Sequence, residues 1–263
     1  MAGKLIFFDI DGTIIDWFGC VPPSAQEAIR RARAAGNRCI INTGRPCFHI
    51  DPAVTAIGFD GFVCSCGQHV ELDGQVRRHL SLPREVCRAI ADKARSCRLD
   101  AFYESETGLY VALTHPMWPA LRTDVERFRR RGFDVERSAE EAAFYFDKCS
   151  VWTGEGSDLD TFLRFAAPWF LPVDRGGGMY ELVRCGCSKA EGMQFMLSLL
   201  DARLEDCYAI GDSSNDLPML ACVPHSIAMG NAPDEVKKQV SYVTDTLERD
   251  GLAKALAHFG LTE

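Results

Sequence analysis

Hydrophobic positions near the start of the chain form short continuous runs separated by one amphipathic segment. Residues 4–8 are almost wholly apolar, which is typical of a strand buried on both faces of a parallel sheet. In 24–35, apolar residues recur at helical spacing behind a capping box at Ser24 and Glu27, which predicts a helix. Apolar runs at 39–41 and 62–64 predict two more buried strands. This order of strand, helix and strand predicts a right-handed βαβ unit.

The same pattern returns in the last third of the chain. Ser188 and Glu191 form a second capping box, and the apolar residues that follow predict a helix that begins there. The run 207–210 predicts a strand that ends at Gly211 and Asp212. Shorter runs at 226–229 and 242–244 predict two further strands.

Residues 84–183 follow a mixed pattern of helices and strands, which predicts an inserted α+β domain of ordinary size. The core domain is then expected to be discontinuous and to consist of 1–83 and 184–263. The predicted elements of the insert are helices at 84–97, 118–131 and 158–166, and strands near 102, at 109–113 and 148–152, near 172 and at 179–183.

Composition narrows the class of function. Of the 263 residues, 47% are hydrophobic and 25% are charged, which is enough apolar material for a full core. Acidic residues number 37 against 29 for Lys and Arg, and the net charge of -8 argues against a general nucleic-acid or anionic-membrane binder. The first apolar run is interrupted by Asp9 and Asp11, and no run approaches the roughly 20 residues that cross a bilayer. We therefore expect a cytoplasmic protein without nucleic-acid or membrane partners; the sequence predicts no oligomeric state.

Twelve cysteines would suggest a disulfide framework in a small secreted chain, but here they are a minor fraction of a long one. We expect most of them to be buried thiols. Two Cys-x-Cys pairs, Cys64 with Cys66 and Cys185 with Cys187, lie near the predicted domain borders, where a redox-sensitive or metal-binding hinge is the alternative. Zinc sites usually use wider cysteine spacing, which favours buried thiols.

Two carboxylates follow the first predicted strand, in the segment Asp9-Ile10-Asp11-Gly12-Thr13. Residues two apart in an extended segment point the same way, so both are expected to face one spot beyond the carboxyl end of the sheet. Neighbouring carboxylates repel each other unless a divalent cation lies between them or one holds a proton, and both conditions suit phosphoryl transfer. A hairpin at Asp11-Gly12 is the structural alternative, and it can accompany catalysis as a small flap.

Three other segments place polar side chains at strand ends or helix starts. Thr43, after the second strand, offers a hydroxyl to a phosphate oxygen, and an ordinary turn is the alternative. Lys189 lies in the first turn of a helix, where a cation opposes the helix dipole; an anion held there would explain it, and a solvated lysine is the alternative. Asp212, Asn215 and Asp216 follow another strand, where one helix N-cap does not require two acids and an Asn.

Together these motifs resemble the haloacid dehalogenase (HAD) superfamily, in its Cof-like phosphatase subgroup with a type IIB cap. The resemblance covers nearly the whole chain. It implies a Rossmann-like α/β core with a parallel sheet and an inserted α+β cap domain that sets substrate specificity. The motifs are Phe8-Asp9-Ile10-Asp11-Gly12-Thr13, Thr43-Gly44-Arg45, Tyr180-Glu181-Leu182 before Ser188-Lys189, Gly211-Asp212 with Asn215-Asp216 and Met219-Leu220, and Asp250-Gly251-Leu252-Ala253.

The resemblance also implies residue roles. Asp9 is the implied nucleophile, which forms an aspartyl-phosphate, and Asp11 is the implied general acid and base. Mg²⁺ is the implied cofactor, held by the Asp9 carboxylate, the Asp11 backbone carbonyl and Asp212. Asp216 is expected to orient Lys189 or a water on the metal. The implied phosphate- and substrate-binding residues are Ile10, Thr43, Gly44, Arg45, Lys189 and Asn215, and Thr43 and Lys189 are also expected to be catalytic.

The implied activity is hydrolysis of a small phosphorylated metabolite, with a sugar phosphate as the favoured class. A phosphomutase that uses the same aspartyl-phosphate and a non-catalytic phosphate-binding module are the alternatives, and the intact acids and lysine argue against the second. The chain departs from the subgroup at Cys66-Gly67, where Asn-Gly is usual, so a polar contact near the cleft is expected to be lost.

Overall fold

The computed structural model describes residues 3–106, 108–112, 119–130, 132, 133, 135 and 137–263. It divides into two compact units, one formed by Met1–His79 and Cys187–Glu263 and the other by Leu80–Gly186. The domain borders expected from the sequence, 83/84 and 183/184, lie four and three residues from these divisions.

The strands in the described residues are, in chain order, β1 (Leu5–Phe8), β2 (Arg38–Asn42), β3 (Gly61–Cys64), β4 (His69–Leu72), β5 (Gln75–His79), β6 (Asp100–Glu104), β7 (Leu109–Ala112), β8 (Arg137–Ser138), β9 (Lys148–Trp152), β10 (Phe170–Gly176), β11 (Met179–Arg184), β12 (Cys207–Gly211), β13 (His225–Ala228) and β14 (Tyr242–Val243). The α-helices are α1 (Pro23–Ala34), α2 (Pro52–Thr55), α3 (Arg84–Ser96), α4 (Pro119–Arg130), α5 (Leu159–Ala166), α6 (Lys189–Leu200), α7 (Leu217–Leu220), α8 (Asp234–Lys237) and α9 (Gly251–His258).

The first unit is built around an eight-stranded sheet with the order β14-β13-β12-β1-β2-β3-β4-β5. Strands β14 to β3 are parallel, and β4 and β5 continue the sheet as antiparallel strands. Strand β1 lies in the middle, with Leu5 opposite Cys207 of β12 and Arg38 of β2. This topology confirms the predicted α/β fold class with a parallel core sheet.

Helices cover both faces of this sheet. On one face, Phe8 belongs to a core cluster with Ile29 of α1 and Leu252 of α9. On the other, Phe7 belongs to a cluster with Met193 of α6. Because the central strands are buried on both faces, their sequences are continuous apolar runs without a polar alternation. The strands and helices predicted for this unit lie within one residue of the observed ends.

The start of α1 differs from the prediction in its cap. Pro22 is the N-cap and Pro23 begins the helix, so Ser24 already lies in the first turn and makes no capping bond. Its hydroxyl donates to Asp250 Oδ1 at 2.6 Å instead. Proline at the first helical position displaces the predicted capping box because its fixed φ suits that position. The second predicted cap is present, with Ser188 Oγ accepting from the Glu191 N–H.

The hairpin β4–β5 was not predicted. The strand β5 has mostly exposed residues, so the pattern contains no buried run to mark it. The turn between the strands is Asp73-Gly74, with φ of +51° and +73°. An Asp-Gly pair with two positive φ angles is a strong hairpin signal, and it was available in the sequence.

The second unit contains a six-stranded sheet with the order β10-β11-β9-β6-β7-β8. Its neighbours are antiparallel except for β7 and β8. One core cluster joins Tyr103 and Val151 of the sheet to Ile90 of α3 and Phe162 of α5. The unit therefore has the mixed α+β character that the sequence predicted.

Most predicted elements of the second unit lie close to the observed ones. The strand 148–152 has the expected bounds, and α5 begins one residue late because Asp158 caps it by accepting from the Thr161 N–H at 3.1 Å. Positions 113, 118 and 131, at the ends of predicted elements, lie outside the described residues. Strand β8 was not predicted because it has only two residues. Among the described helices, none has the length and apolar character to cross a membrane.

Candidate active site

Asp9 follows β1 directly and lies at the carboxyl end of the central sheet. Its side chain is buried, and its backbone N–H donates to Ile210 O of β12. The chain then turns, because Ile10 O accepts from the N–H groups of Thr13, Ile14 and Ile15. Asp11 lies at this turn, and after burial and the charge of Asp216 its charge also raises the pKa of Asp9. The two carboxylates have different partners.

Gly12 makes this turn possible. Its φ is +74°, and a Cβ placed there would lie 2.0 Å from Asp212 Oδ2. Glycine therefore supplies both the left-handed conformation and the space for a second acid. Asp11 and Ile15 form an isolated parallel bridge, and the Gly12 N–H donates to Ile15 O, so the Asp11-Gly12 turn is not the antiparallel hairpin that was the alternative.

Lys189 is buried at the first position of α6. Its ammonium Nζ lies 2.5 Å from Asp9 Oδ1 and 2.5 Å from Asp216 Oδ1. Burial alone would lower the pKa of this lysine, but the two carboxylates outweigh it and raise the pKa above its usual value. The unfavourable position of a cation at a helix N-terminus is thus explained by two anionic partners.

Asp212 and Asp216 follow β12. Asp216 Oδ2 accepts from the backbone N–H groups of Asp212 at 3.0 Å and Ser213 at 2.9 Å, which closes a capping box. The helix-cap interpretation of this acid is therefore correct, and it holds together with the bond to Lys189. Asp212 Oδ2 accepts from Asn231 Nδ2 at 3.1 Å.

Asn231 was missed by the sequence reasoning. Its Nδ2 also donates to Gly12 O at 2.9 Å, so it joins Asp212 to the turn after Asp9. Asn231 lies three residues beyond β13, at the same sheet edge as the predicted acids. The rule that polar residues at carboxyl strand ends belong to the site would have found it.

Three carboxylates come together here. Oxygens of Asp9, Asp212 and Asp216 lie within 4.8 Å of one another, and all three residues are buried. Burial, followed by the charge of Asp216, raises the pKa of Asp9 to about 8 and that of Asp212 to about 7. An all-oxygen donor set with excess negative charge fits a hard divalent cation such as Mg²⁺.

The motif Thr43-Gly44-Arg45 lies beside the motif that contains Asn215. Thr43 is buried, and its Oγ1 accepts from the Arg45 N–H at 3.1 Å. A Cβ on Gly44 would lie 3.6 Å from Cys66 Sγ and 3.8 Å from Asn215 Nδ2, so the two predicted phosphate-binding segments are neighbours. Cys66 has a φ of +54°, a conformation that Asn adopts more readily than Cys, which explains the Asn-Gly of the subgroup.

Arg45 was expected to bind phosphate, and the structure gives its guanidinium other partners. Nε donates to Asp11 Oδ2 at 2.8 Å, Nη2 donates to Asp11 Oδ1, and Nη1 donates to Asp51 Oδ2 at 2.8 Å. The Asp11 side chain is half exposed, whereas that of Arg45 is largely buried. Arg45 thus joins the half-exposed Asp11 to the more buried Asp51.

Two contacts hold α6, and with it Lys189, in place. Asn42 Nδ2 of β2 donates to Lys189 O at 2.9 Å. Gly192 rests against Gly67, and a Cβ on either glycine would lie 2.7 or 2.8 Å from the other residue's Cα. The helix and the loop after β3 therefore meet backbone to backbone, at a distance that only glycine permits.

All twelve cysteines have free thiols, and six of them are buried. No cysteine belongs to a group of three or more possible metal ligands within the described residues. The structure thus offers no disulfide or thiolate cluster at either Cys-x-Cys pair.

The sequence matches known proteins over most of its length. The model of the haloacid dehalogenase-like hydrolase family matches residues 6–256. The chain belongs to this family.

Individual relatives agree with the family assignment. YkrA of Bacillus subtilis (strain 168) is 29% identical over 276 residues, which cover 99% of each protein. The 5-amino-6-(5-phospho-D-ribitylamino)uracil phosphatase YitU of the same strain is 26% identical, with 97% of each protein covered. The solved structure of the HAD subclass IIB sugar phosphatase BT4131 matches with a TM-score of 0.79 and 25% identity, over 98% of this chain and 99% of that one. The protein is a phosphatase of the Cof-like subgroup, as the motifs predicted.

Proposed function

We propose that this protein is a Mg²⁺-dependent phosphomonoester hydrolase that works through an aspartyl-phosphate on Asp9. The observation that carries the proposal is the buried contact of Lys189 Nζ with Asp9 and Asp216, at 2.5 Å each. Buried charges are costly to a fold, and perturbed acids cluster where chemistry uses them. The contact fixes the Asp9 carboxylate at the end of the central strand.

The charge balance supports a divalent cation at this site. Three buried carboxylates face one ammonium group, and a phosphomonoester would add further negative charge. The Asp9 and Asp212 carboxylates and the Asp11 backbone carbonyl would hold the Mg²⁺, since the oxygens of Asp216 already accept from Lys189 and from two backbone N–H groups. When bound, Mg²⁺ neutralises charge on the phosphoryl group.

The steps then follow from the residues. An Asp9 carboxylate oxygen attacks phosphorus, and Asp11 gives its proton to the leaving alkoxide oxygen. Asp11 next takes a proton from the water that hydrolyses the aspartyl-phosphate. Thr43 and Asn215 would bind phosphoryl oxygens, and Lys189 would keep Asp9 oriented.

The proposed substrate is a small organic phosphate, and a sugar phosphate is the favoured class. BT4131 is named as a sugar phosphatase, and YitU is named for a phosphorylated ribityl compound. We propose that the unit Leu80–Gly186 supplies the residues that select the organic part of the substrate.

A panel of phosphate esters, assayed with Mg²⁺ and with EDTA, tests the proposal. We expect turnover only with the metal, and a loss of about 10³-fold or more in kcat for Asp9→Asn. Acid quenching during turnover followed by mass spectrometry should find one phosphoryl group on the Asp9 peptide. Asp73→Asn, which changes an acid paired with Arg38 at the surface, is the matched control and should keep full activity.

Two results would overturn the proposal. Full turnover in EDTA would show that the reaction needs no divalent metal. Full turnover by Asp9→Asn would show that Asp9 is not the nucleophile. A phosphoenzyme that transfers its phosphoryl group to a second hydroxyl of the substrate faster than to water would identify a mutase in place of a hydrolase.

A further inference from the structure

The Arg45 guanidinium group donates hydrogen bonds to four acceptor atoms on three residues. Nε and Nη2 donate to the two oxygens of Asp11, and Nη1 donates to Asp51 Oδ2 at 2.8 Å and to His49 O at 3.1 Å. Four of the five guanidinium N–H groups therefore have partners among these residues. The pair with Asp11 is bidentate, which fixes the plane of the carboxylate as well as its distance.

The acceptors of Arg45 come from a short segment that folds back on it. Residues Cys47–His49 form a single helical turn, closed by the His49 N–H donating to Pro46 O. The turn directs Asp51 and His49 O towards Arg45. Only 16% of the Arg45 side chain and 18% of that of Asp51 are exposed, against 51% for Asp11. The arginine is thus anchored on its protein side and presents its other edge to Asp11.

We propose that Arg45 is a positioning residue for proton transfer by Asp11, and that Asp51 holds Arg45 in turn. Arg45 holds the ionised Asp11 carboxylate, releases one of its two oxygens when that oxygen takes up a proton, and keeps the protonated carboxyl group in place through the other oxygen. The inference rests on the proposed function, in which Asp11 exchanges a proton with the leaving oxygen. A half-exposed aspartate would otherwise sample several rotamers, and a displacement of about 1 Å is enough to cost a large part of such catalysis.

The geometry separates this role from the phosphate-binding role that the motif suggested for Arg45. Two carboxylates neutralise the guanidinium charge, and they occupy the edges with which arginine binds phosphate. Burial lowers the pKa of Arg45, but the bonds to Asp11 and Asp51 raise it above its usual value, so the arginine stays charged. A phosphate-binding arginine would act on every substrate alike, whereas a residue that acts through Asp11 affects only substrates that need a proton.

Leaving groups of different basicity distinguish the two roles. An alkyl phosphate such as glycerol 2-phosphate releases an alkoxide that must be protonated, whereas p-nitrophenyl phosphate releases a stable phenolate that does not. For Arg45→Gln we expect kcat/KM for the alkyl ester to fall about 10- to 100-fold, and kcat/KM for the aryl ester to fall less than about threefold. Mg²⁺ is kept saturating in all assays.

Two further variants should show smaller losses of kcat/KM for the alkyl ester than Arg45→Gln. Asp51→Asn leaves Arg45 in place but removes its anchor charge, and should lower the alkyl-ester value about 3- to 10-fold. Arg45→Lys should rescue only part of the loss, because lysine makes no bidentate pair. Arg38→Gln breaks an exposed pair with Asp73 and is the matched control, with both esters expected to keep wild-type values. Thermal unfolding of each variant checks its fold, and Asp51→Asn carries the test if Arg45→Gln does not fold.

A double-mutant cycle tests whether Arg45 acts through Asp11. In the Asp11→Asn background, Arg45→Gln should change neither ester by more than about twofold. Two results would overturn the inference. One is a loss of kcat/KM in Arg45→Gln that is equal for the alkyl and aryl esters. The other is a double variant whose loss is the sum of the full losses of Arg45→Gln and Asp11→Asn. A wild-type enzyme without Mg²⁺-dependent turnover would instead contradict the proposed function, so the two failures are distinguishable.

Discussion

Two lysines of this protein make ion pairs of the same length in different surroundings. Lys189 Nζ lies 2.5 Å from Asp9 and 2.5 Å from Asp216, and its side chain is fully buried. Lys254 Nζ lies 2.5 Å from Asp245, with 53% of its side chain exposed. Replacing each lysine by methionine, which keeps the length of the chain and removes the charge, should have very different consequences.

The expected magnitudes follow from the exposure of the partners. Lys189→Met leaves the carboxylates of Asp9 and Asp216, which are 6% and 0% exposed, without their cation. Removing one partner of a buried pair costs about 3–5 kcal/mol. The exposed pair of Lys254 is screened by water and contributes little to stability. The free energy of unfolding should therefore fall by about 3–5 kcal/mol in Lys189→Met and stay near the wild-type value in Lys254→Met.

Urea unfolding followed by circular dichroism measures both variants against the wild type. In metal-free buffer at pH 9 or so, above the pKa of about 8 that burial gives Asp9, we expect a lower midpoint with an unchanged slope for Lys189→Met, and a midpoint near that of the wild type for Lys254→Met. In the phosphatase assay, Lys189→Met should lose on the order of 10³-fold in kcat, whereas Lys254→Met should keep its activity.

Equal destabilisation by the two substitutions would refute the reasoning. It would mean that the buried acids lose their charge as soon as the lysine is removed, at a negligible cost. Destabilisation of Lys189→Met with full activity would separate the lysine from catalysis, and would leave it only a role in the fold.

Three other predictions concern the metal, the second unit and the thiols. In a thermal shift assay, Mg²⁺ at about 100 times its Kd should stabilise the wild type by about 2.7 kcal/mol, and Asp212→Asn should lose most of this gain. The neighbouring cations Lys148 and Arg175 overcome the effect of burial and lower the pKa of Glu181 to about 2. This acid should stabilise its unit above pH 4.5 or so, and about 3 kcal/mol should be lost as the pH falls towards 2, a dependence that Glu181→Gln should remove. A hydrogen bond with Cys64 lowers the pKa of Cys47 to about 6, so iodoacetamide near pH 7 should label Cys47 well before the deeply buried thiols.

Each of these predictions has a result that contradicts it. If Mg²⁺ stabilised Asp212→Asn as much as the wild type, Asp212 would be excluded as a metal ligand. Ca²⁺ serves as the comparison ion. An unchanged acid transition in Glu181→Gln would remove Glu181 from the pH dependence, with Glu205, an exposed acid, as the matched control for Gln substitution. Labelling of Cys20, the exposed cysteine, at a rate equal to that of Cys47 at pH 6 would show that access and not thiolate character sets the order.

The sequence predicted the core sheet well because burial on both faces leaves an unambiguous apolar run. Residues such as Phe7 and Phe8 carry that information by themselves. The hairpin β4–β5 was harder to predict because its second strand is mostly exposed and contains no buried apolar run. Only Asp73-Gly74 marks the turn. Local chemistry also decided the start of α1, where Pro23 took precedence over a capping box at Ser24.

The structure brings together three acids that the sequence named, Asp9, Asp212 and Asp216, whereas the contact of Arg45 with Asp11 was not predicted. Strand ends identify Asp9 and Asp212, and the unfavourable helix position of Lys189 pointed to an anion. Asp11, which pairs with Arg45, lies beside the turn at Ile10, and the two-residue alternation of a strand does not predict this pairing. Pairwise partners arise from such local turns, and a motif by itself does not encode them.

The contact between Gly67 and Gly192 sets limits on how this scaffold can be redesigned. Lys189 lies one helical turn before Gly192, so a methyl group at either glycine would push that turn, and the ammonium group with it, away from the acids. In a saturation library, these two codons should tolerate no replacement, although neither residue has a functional group. Protein engineers who recruit the enzyme for a new phosphate ester should therefore leave both glycines unvaried and place diversity elsewhere in the chain.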